Sequence, residues 1–385
     1  MAMTNIKEKS RKRETLSFRD QEINAGLDVH KKNWSVSIYI GQEYARTYHQ
    51  ESNGAALLKH LQTNYPEGIY RACYEAGFCG FSLQRELTKL GIECHVVNPS
   101  DVPQTSKGLL SKTDASDSRR LGEAFSKNML RSIYIHKASD EADRNLIRYR
   151  KRVQEDLRTK KQMLKSILNI LGIRIPVEHD KSYWTNNFIT WLKELELDDL
   201  SNKSTITFLV EDVLLLRKRL FTTNKQIRVI SQTERYNKIY ALLITTPGVG
   251  LITAMTLLTE IGDIKRFDNF TKFNSYIGFC PSEFSSGEHI HKGKITIRCH
   301  KTLRSLILEA AWIAMRCDPA LTIKYHELLK TKTAKRAIII IARKLLSRLY
   351  TIWKYYYTSW SDDKGGSQPY SKQLYLVTNY SKGIS

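Results

Sequence analysis

The chain has 385 residues of which 41% are apolar, enough to bury two or three cores and too much for a disordered protein. Lys and Arg number 61 against 39 Asp and Glu, a formal charge of +22, and that excess calls for a polyanionic partner, nucleic acid ahead of an anionic membrane surface. No apolar run reaches the roughly 18 residues of a membrane span, and AIIIIARKLL from Ala337, cut by Arg343 and Lys344, reads as a buried helix. The first twenty residues are polar and basic without an apolar signal region, so a cytoplasmic location and no membrane partner are expected. Six cysteines without a CxxC pair read as reduced thiols. His289, His291, Cys299 and His300 match no standard zinc spacing.

In chain order, residues 1–21 read as a flexible basic arm. From Ile23, INAGLDV, WSVSIYI and EYARTYH are short β-branched or aromatic runs, as in a meander of strands. A helix (GAALLKHLQ), a strand (IYRACYE), a helix (GFSLQRELTKLG) and a strand (IECHVVNP) follow, which predicts a mixed sheet with helices packed on it. After a polar loop, Thr113 can cap a helix starting at Asp114. Asp114 and Asp117 then suit the positive end of that helix, and helix stabilisation alone is one reading of them.

From Asp140 to Leu171 the pattern is helical, with Leu146, Tyr149, Val153, Leu157, Leu164, Ile167 and Leu171 on one stripe. Leu209, Val213, Leu216, Leu220, Thr223, Ile227 and Ile230 alternate steps of four and three, a coiled-coil seam. The connection holds Pro176 and a short helix, NFITWLKEL, so the two long helices can fold back as an antiparallel pair with a self-association surface. Beyond Tyr240, LLITTPGVGLITAMTLLTEIG reads as helix, turn and helix, resembling a helix-hairpin-helix in which the amides of Gly248 and Gly250 can approach a phosphate; an ordinary helix-helix turn is the other reading. A Gly- and Ser-rich stretch and two core helices, TLRSLILEAAWIAM and AKRAIIIIARKLLSRLYTIW, precede a loose tail.

Phosphodiester chemistry needs converging carboxylates to seat divalent ions about 4 Å apart. Asp28 ends the first strand, Glu75 ends a later one, and Asp114 and Asp117 share one face of the next helix. In a ribonuclease-H-like sheet the first and fourth strands are neighbours, so the four acids can meet. Held together without cations they would repel and stay partly protonated, which points to metal. Lys31, Lys32, Lys107, Lys112, Arg119 and Arg120 lie beside these acids as candidate phosphate contacts, each also readable as a solvated charge.

GLDVHKK, YEAGFCGFSLQRELTKLGIECHVVNPS and KTDASDSRRLGE resemble the N-terminal domain of DEDD-type insertion-sequence transposases, the IS-one-ten family, whose relatives include Piv-type DNA invertases; TTPGVGLITAMTLLTEIGDIKRFDNFTKFNSYIGFCPSEFSSG resembles their C-terminal domain. The resemblance implies that Asp28, Glu75, Asp114 and Asp117 are the DEDD tetrad of a RuvC-like fold, holding Mg²⁺ with Mn²⁺ as the alternative. It also implies a serine nucleophile at Ser286, with Ser285 the adjacent alternative, and donor and target double-stranded DNA as partners. A structured non-coding guide RNA and a homo-oligomer, dimer or tetramer, in the bacterial or archaeal nucleoid follow in the same way. Near the serine, Lys292, Lys294 and Arg298 are the candidate nucleic-acid contacts. Where the family has a lysine and then Gly-Asn, this chain has Ile297, Cys299 and His300.

The fold class expected is α/β plus α: an N-terminal RuvC/ribonuclease-H-like mixed sheet with helices, a long antiparallel coiled-coil insertion, and a mainly helical C-terminal transposase domain with a helix-hairpin-helix-like element. The boundaries are an arm at 1–21, the RuvC-like catalytic domain at 22–138, coiled-coil helices at 139–235, the C-terminal domain with its serine loop at 236–358, and a tail at 359–385. The function implied is strand cleavage and rejoining by a transposase. The alternative is a RuvC-like metal-dependent nuclease that hydrolyses DNA without a covalent serine intermediate.

Overall fold

The computed structural model describes residues 17–103, 113–180, 184–286 and 289–361. It divides into two compact units, Met1–His136 and Lys137–Ser385. Residues 1–16 of the expected arm and 362–385 of the expected tail lie outside the described residues, as do Lys107 and Lys112. The last arm residues are part of the fold: Phe18 packs edge-on against Tyr65 with ring centroids 5.3 Å apart.

The first unit is built on a five-stranded mixed sheet of order β3-β2-β1-β4-β5. Its strands are β1 (Glu22–Val29), β2 (Asn33–Ile40), β3 (Glu43–Glu51), β4 (Ile69–Glu75) and β5 (Glu93–Val97). The first three form an antiparallel meander, while β1 pairs in parallel with β4 and β4 with β5. Side chains alternate between the two faces. Ile23, Ala25, Leu27, Val36, Ile38, Ala72, Tyr74 and Val96 point to one face, where they are buried with Leu57 and Leu61 of α1 (Gly54–Asn64) and Leu83 and Leu87 of α2 (Ser82–Lys89). On the other face Cys73 and Val97 pack against Leu121, Ala124 and Phe125 of α3 (Asp114–Ser126). Thr113 caps α3 as the sequence predicts: its hydroxyl accepts from Ser116 N at 3.2 Å, and Ser116 Oγ accepts from Thr113 N at 3.1 Å.

The second unit opens with α4 (Ala138–Ile170), continues through α5 (Asn186–Lys193) to α6 (Leu200–Ser231), and contains α7 (Asn237–Leu243), α8 (Leu251–Ile261) and α9 (Phe270–Ile277). A two-stranded hairpin, β6 (Pro281–Ser286) and β7 (His289–Ile295), precedes α10 (Lys301–Cys317), α11 (Pro319–Leu329) and α12 (Ala334–Ser361). The long helices α4 and α6 run antiparallel. Asp143 meets Arg235 just beyond α6, Arg150 meets Asn224 and Lys160 meets Asp212, so the partner number falls as the α4 number rises. Of the α6 seam, Leu209, Val213, Leu216, Thr223 and Ile227 are buried. The α4 stripe departs from expectation at its start: Tyr149 is exposed and Ile147 is buried, because this end of α4 packs on α8 as well as α6.

Two further differences concern elements. The stretch PALTIKYHELL forms α11, a helix absent from the expected pattern, capped by Asp318 with Pro319 in its first turn. The Gly- and Ser-rich stretch carrying Ser285 and Ser286 includes the paired strands β6 and β7 where a loop is expected. All six cysteines are free. No helix among the described residues is long and apolar enough to cross a membrane.

Candidate active site

Parallel pairing aligns the C-terminal ends of β1 and β4. The register runs from Glu22 opposite Ile69 to Leu27 opposite Tyr74, which leaves Asp28 and Glu75 one residue beyond the last pair on neighbouring strands. Alternation sends both toward the α3 side of the sheet, since Gly26 lies under α3 and Cys73 packs against Leu121. The same face therefore receives two acids from the strands and two from the first turn of α3.

How closely α3 approaches is set by two glycines. A Cβ on Gly26 would lie 2.3 Å from Gly122 N and 2.5 Å from Ser118 O, and one on Gly122 would lie 2.8 Å from the Tyr39 ring. No larger residue fits this crossing. Beside it, the buried Ser118 hydroxyl of α3 lies 3.0 Å from Ser35 Oγ and 2.9 Å from Ser37 Oγ on β2, and Ser37 is 2.7 Å from Thr47 of β3. Tyr39 OH donates to Arg119 O at 3.0 Å. This polar seam locks α3 in both rotation and height over the sheet, with its N-terminus at the strand ends.

The result is a close set of three side chains. Carboxylate oxygens of Asp28 and Asp114 and a ring nitrogen of His30 all lie within 4.8 Å of one another. His30 Nε2 is 3.3 Å from Asp28 Oδ2 and 3.5 Å from Asp114 Oδ2. Thr113 supplies the cap of α3, and the Asp114 carboxylate faces Asp28 through the imidazole. Burial pushes the Asp28 carboxyl above its ordinary value; His30 pulls it down, and Asp114 and Asp117 push it up again. Neighbouring acids that oppose one another's ionisation, with oxygen and imidazole donors converging, suit a divalent cation.

Asp117 lies one turn beyond Asp114, near enough to act on Asp28, and pairs with Arg120 at 3.1 Å. Glu75 stands at the neighbouring strand end, outside the close set of three. His30 was not among the residues singled out in the sequence. Only its place two residues after Asp28 hints at it.

The basic candidates divide. Lys31 and Lys32 are exposed in the turn between β1 and β2. Arg119 stacks over the Tyr44 ring, 4.7 Å from its centroid, and donates to the Tyr44 hydroxyl at 3.1 Å. Gly250 caps α8 with open space around it, whereas Gly248 has a φ of +83° and a Cβ there would lie 2.3 Å from Ala310 O, so its freedom serves packing on α10. Ser285 and Ser286 end β6 opposite Ile290 and His289. Gly287 lies outside the described residues, and of Lys292 and Lys294 only the backbone, in β7, is described. Arg298 is exposed after β7.

Comparison with known proteins accounts for both units. A DEDD-type transposase family model matches residues 25–173, and the model described as "Transposase IS116/IS110/IS902 family" matches residues 240–327. Among curated proteins, the chain is 30% identical over 298 residues to "Putative transposase y4qE" of Sinorhizobium fredii, covering 76% of this chain and 72% of that protein. It is 26% identical over 307 residues to "Transposase for insertion sequence element IS1533" of Leptospira borgpetersenii, covering 76% of this chain and 85% of that protein. It is also 37% identical over 129 residues to the "Pilin gene-inverting protein" of Moraxella bovis, covering 32% and 40% of the two chains. With a mixed sheet that brings Asp28 and Asp114 together and family matches over residues 25–173 and 240–327, the chain belongs to the DEDD-type IS116/IS110/IS902 family and is a DNA transposase.

Proposed function

We propose that the chain moves an insertion sequence by cutting DNA strands and rejoining them through a phosphoserine link. Mg²⁺, with Mn²⁺ as substitute, would be held by Asp28, Glu75, Asp114 and Asp117. The observation that carries this reading is the approach of Asp28 and Asp114 to within reach of one ion. When bound, the ion supplies charge neutralisation at the scissile phosphate and activation of the attacking oxygen.

The chain's own residues do the rest. Asp28 and Asp114 face each other across His30, and Arg120 holds Asp117 from the helix side. Ser286 Oγ, with Ser285 as the alternative, attacks the phosphorus. The Oγ–P bond forms as the P–O bond to the departing strand breaks and the serine proton passes to the departing oxygen, so the bond energy is kept for rejoining. The amide end of α8 at Gly250, which carries no side-chain cap, fits a phosphate contact of the helix-hairpin-helix kind. Lys31, Lys32, Lys107, Lys112, Arg119, Arg298, Lys292 and Lys294 add phosphate contacts along DNA. A charge of +22 suits a guide RNA as well, with base pairing supplying the target sequence.

Self-association through the long helices is part of the same reading. Tyr149, Met163 and Ile170 on α4, and Phe208, Leu215 and Val229 on α6, are exposed at multiples of seven residues. That is the period of a coiled-coil face, and a second copy of this chain would cover it in a dimer or tetramer.

The test is incubation with labelled duplex DNA from the ends of its insertion sequence, with and without Mg²⁺ and co-expressed RNA. A denaturation-resistant protein–DNA adduct is expected, dependent on Mg²⁺, abolished by Ser286→Ala and retained by Ser285→Ala. Cleavage without an adduct, unchanged in Ser286→Ala, would instead mark a hydrolytic nuclease.

A further inference from the structure

Among the described residues the β6–β7 hairpin has no third strand. A lone two-stranded hairpin is marginal in water, so its placement has to come from what holds its base. Thr296 N donates to Cys280 O at 3.0 Å, closing the two ends on each other. Below that bond sits Arg304, in the first turn of α10. Its Nη1 donates to Thr296 O at 2.7 Å, just after β7, and to Gly278 O at 3.3 Å, just before β6. Gly278 has a φ of +96°, and a Cβ there would lie 2.2 Å from Cys299 Cβ, so glycine alone lets the two chain segments cross over the guanidinium.

The helix from which Arg304 reaches is itself held. His300 Nδ1 accepts from Leu303 N at 3.3 Å, capping α10, and its Nε2–H donates to Glu260 Oε2 at 3.3 Å. The tautomer with its proton on Nε2 satisfies both bonds. Glu260 on α8 is 3% exposed, takes two bonds from the Arg148 guanidinium at 2.7 and 2.8 Å, and lies 3.2 Å from Arg144. His300 therefore both caps α10 and reaches a buried carboxylate.

We propose that Arg304 is a positioning residue that fixes the serine hairpin, with His300 and Glu260 holding the helix it reaches from. The proposal rests on the serine reading above. Arg304 touches neither DNA nor the nucleophile in this role; it sets where the strand ending at Ser286 can be.

Full-length Arg304→Ala is compared with wild type by hydrogen exchange of residues 281–296 and by the rate of adduct formation on duplex DNA from the element ends. The hairpin amides are expected to exchange at least about tenfold faster, with the rest of the unit unchanged. Adduct formation is expected to fall by about 10²-fold with DNA binding retained. Added guanidinium ion should restore much of the rate, a rescue that a general loss of folding would not show. Wild-type exchange and wild-type adduct rate in Arg304→Ala overturn the proposal. Should that variant fail to fold, Arg304→Met carries the same test, keeping the apolar stem without any donor nitrogen, and wild-type behaviour there overturns it equally. If the wild-type protein forms no adduct, the serine reading has failed on its own account, and the exchange data still decide whether Arg304 holds the hairpin.

Discussion

Asp28 carries opposing demands. Its carboxylate is proposed as a metal ligand, yet burial and the nearby Asp114 and Asp117 disfavour its charge, against the pull of His30. A carboxyl whose folded pKa is raised binds protons more tightly when folded, so stability falls as pH rises from the ordinary value of 3.8 through the folded value. Asp28→Asn is therefore predicted to raise the melting temperature of the metal-free protein at neutral pH while abolishing cleavage. Calorimetry in EDTA checks this, and a lower melting temperature would contradict it. Glu260 is the reverse case. Burial raises its carboxyl, but His300, Arg148 and Arg144 outweigh that and bring it from 4.5 to about 2. The stabilisation is present above pH 4.5 and is lost as pH falls toward 2. Glu260→Gln should cost about 3 kcal/mol in urea unfolding at pH 7, with the gap to wild type closing in that acid window. The placement of Asp28 and Glu75 at strand ends, and of Asp114 and Asp117 in the first turn of a helix, was legible in the sequence. His30 and the Ser35, Ser37 and Ser118 seam were not, since single histidines and serines in regular elements carry no spacing that marks their partners.

At the level of elements, the site depends on α3 lying close over β1. Gly26→Ala would drive a methyl into the Gly122 and Ser118 backbone, lifting the helix that carries Asp114 and Asp117. The predicted cost is about 1–3 kcal/mol of stability, with cleavage falling much further than that loss of folded protein explains. Urea unfolding and a cleavage assay on the same preparation check it; equal losses in both would contradict it. The strands, α3 and the long helices were readable because period-two and period-3.6 patterns are strong over such lengths. The α11 helix has its own signal, Asp318 followed by Pro319, a cap and a first-turn proline. It is short and lies between stronger helices. The β6–β7 hairpin gave no such warning, because Gly and Ser content reads as loop and its pairing is held at the base by Arg304 on a later helix.

For the molecule as a whole, composition already selected the partner. A charge of +22 predicts steep salt dependence: log K for duplex DNA should fall against log salt with a slope of about −5 or steeper, as for six or more neutralised phosphates. A shallow slope would assign the charge elsewhere. The two compact units were only partly readable, because the long helices share a core with the C-terminal helices through Ile147 and Ile227, a continuity that helical periodicity cannot reveal. The central proposal is that the acids around Asp28 and Asp114 seat a divalent ion. Fe²⁺ with ascorbate, which cuts a polypeptide beside bound metal, tests it most directly. Scission near residues 28, 75 and 114–117 is predicted, suppressed by excess Mg²⁺ and absent in Asp28→Asn; scission elsewhere, or a pattern unchanged by that substitution, would contradict it.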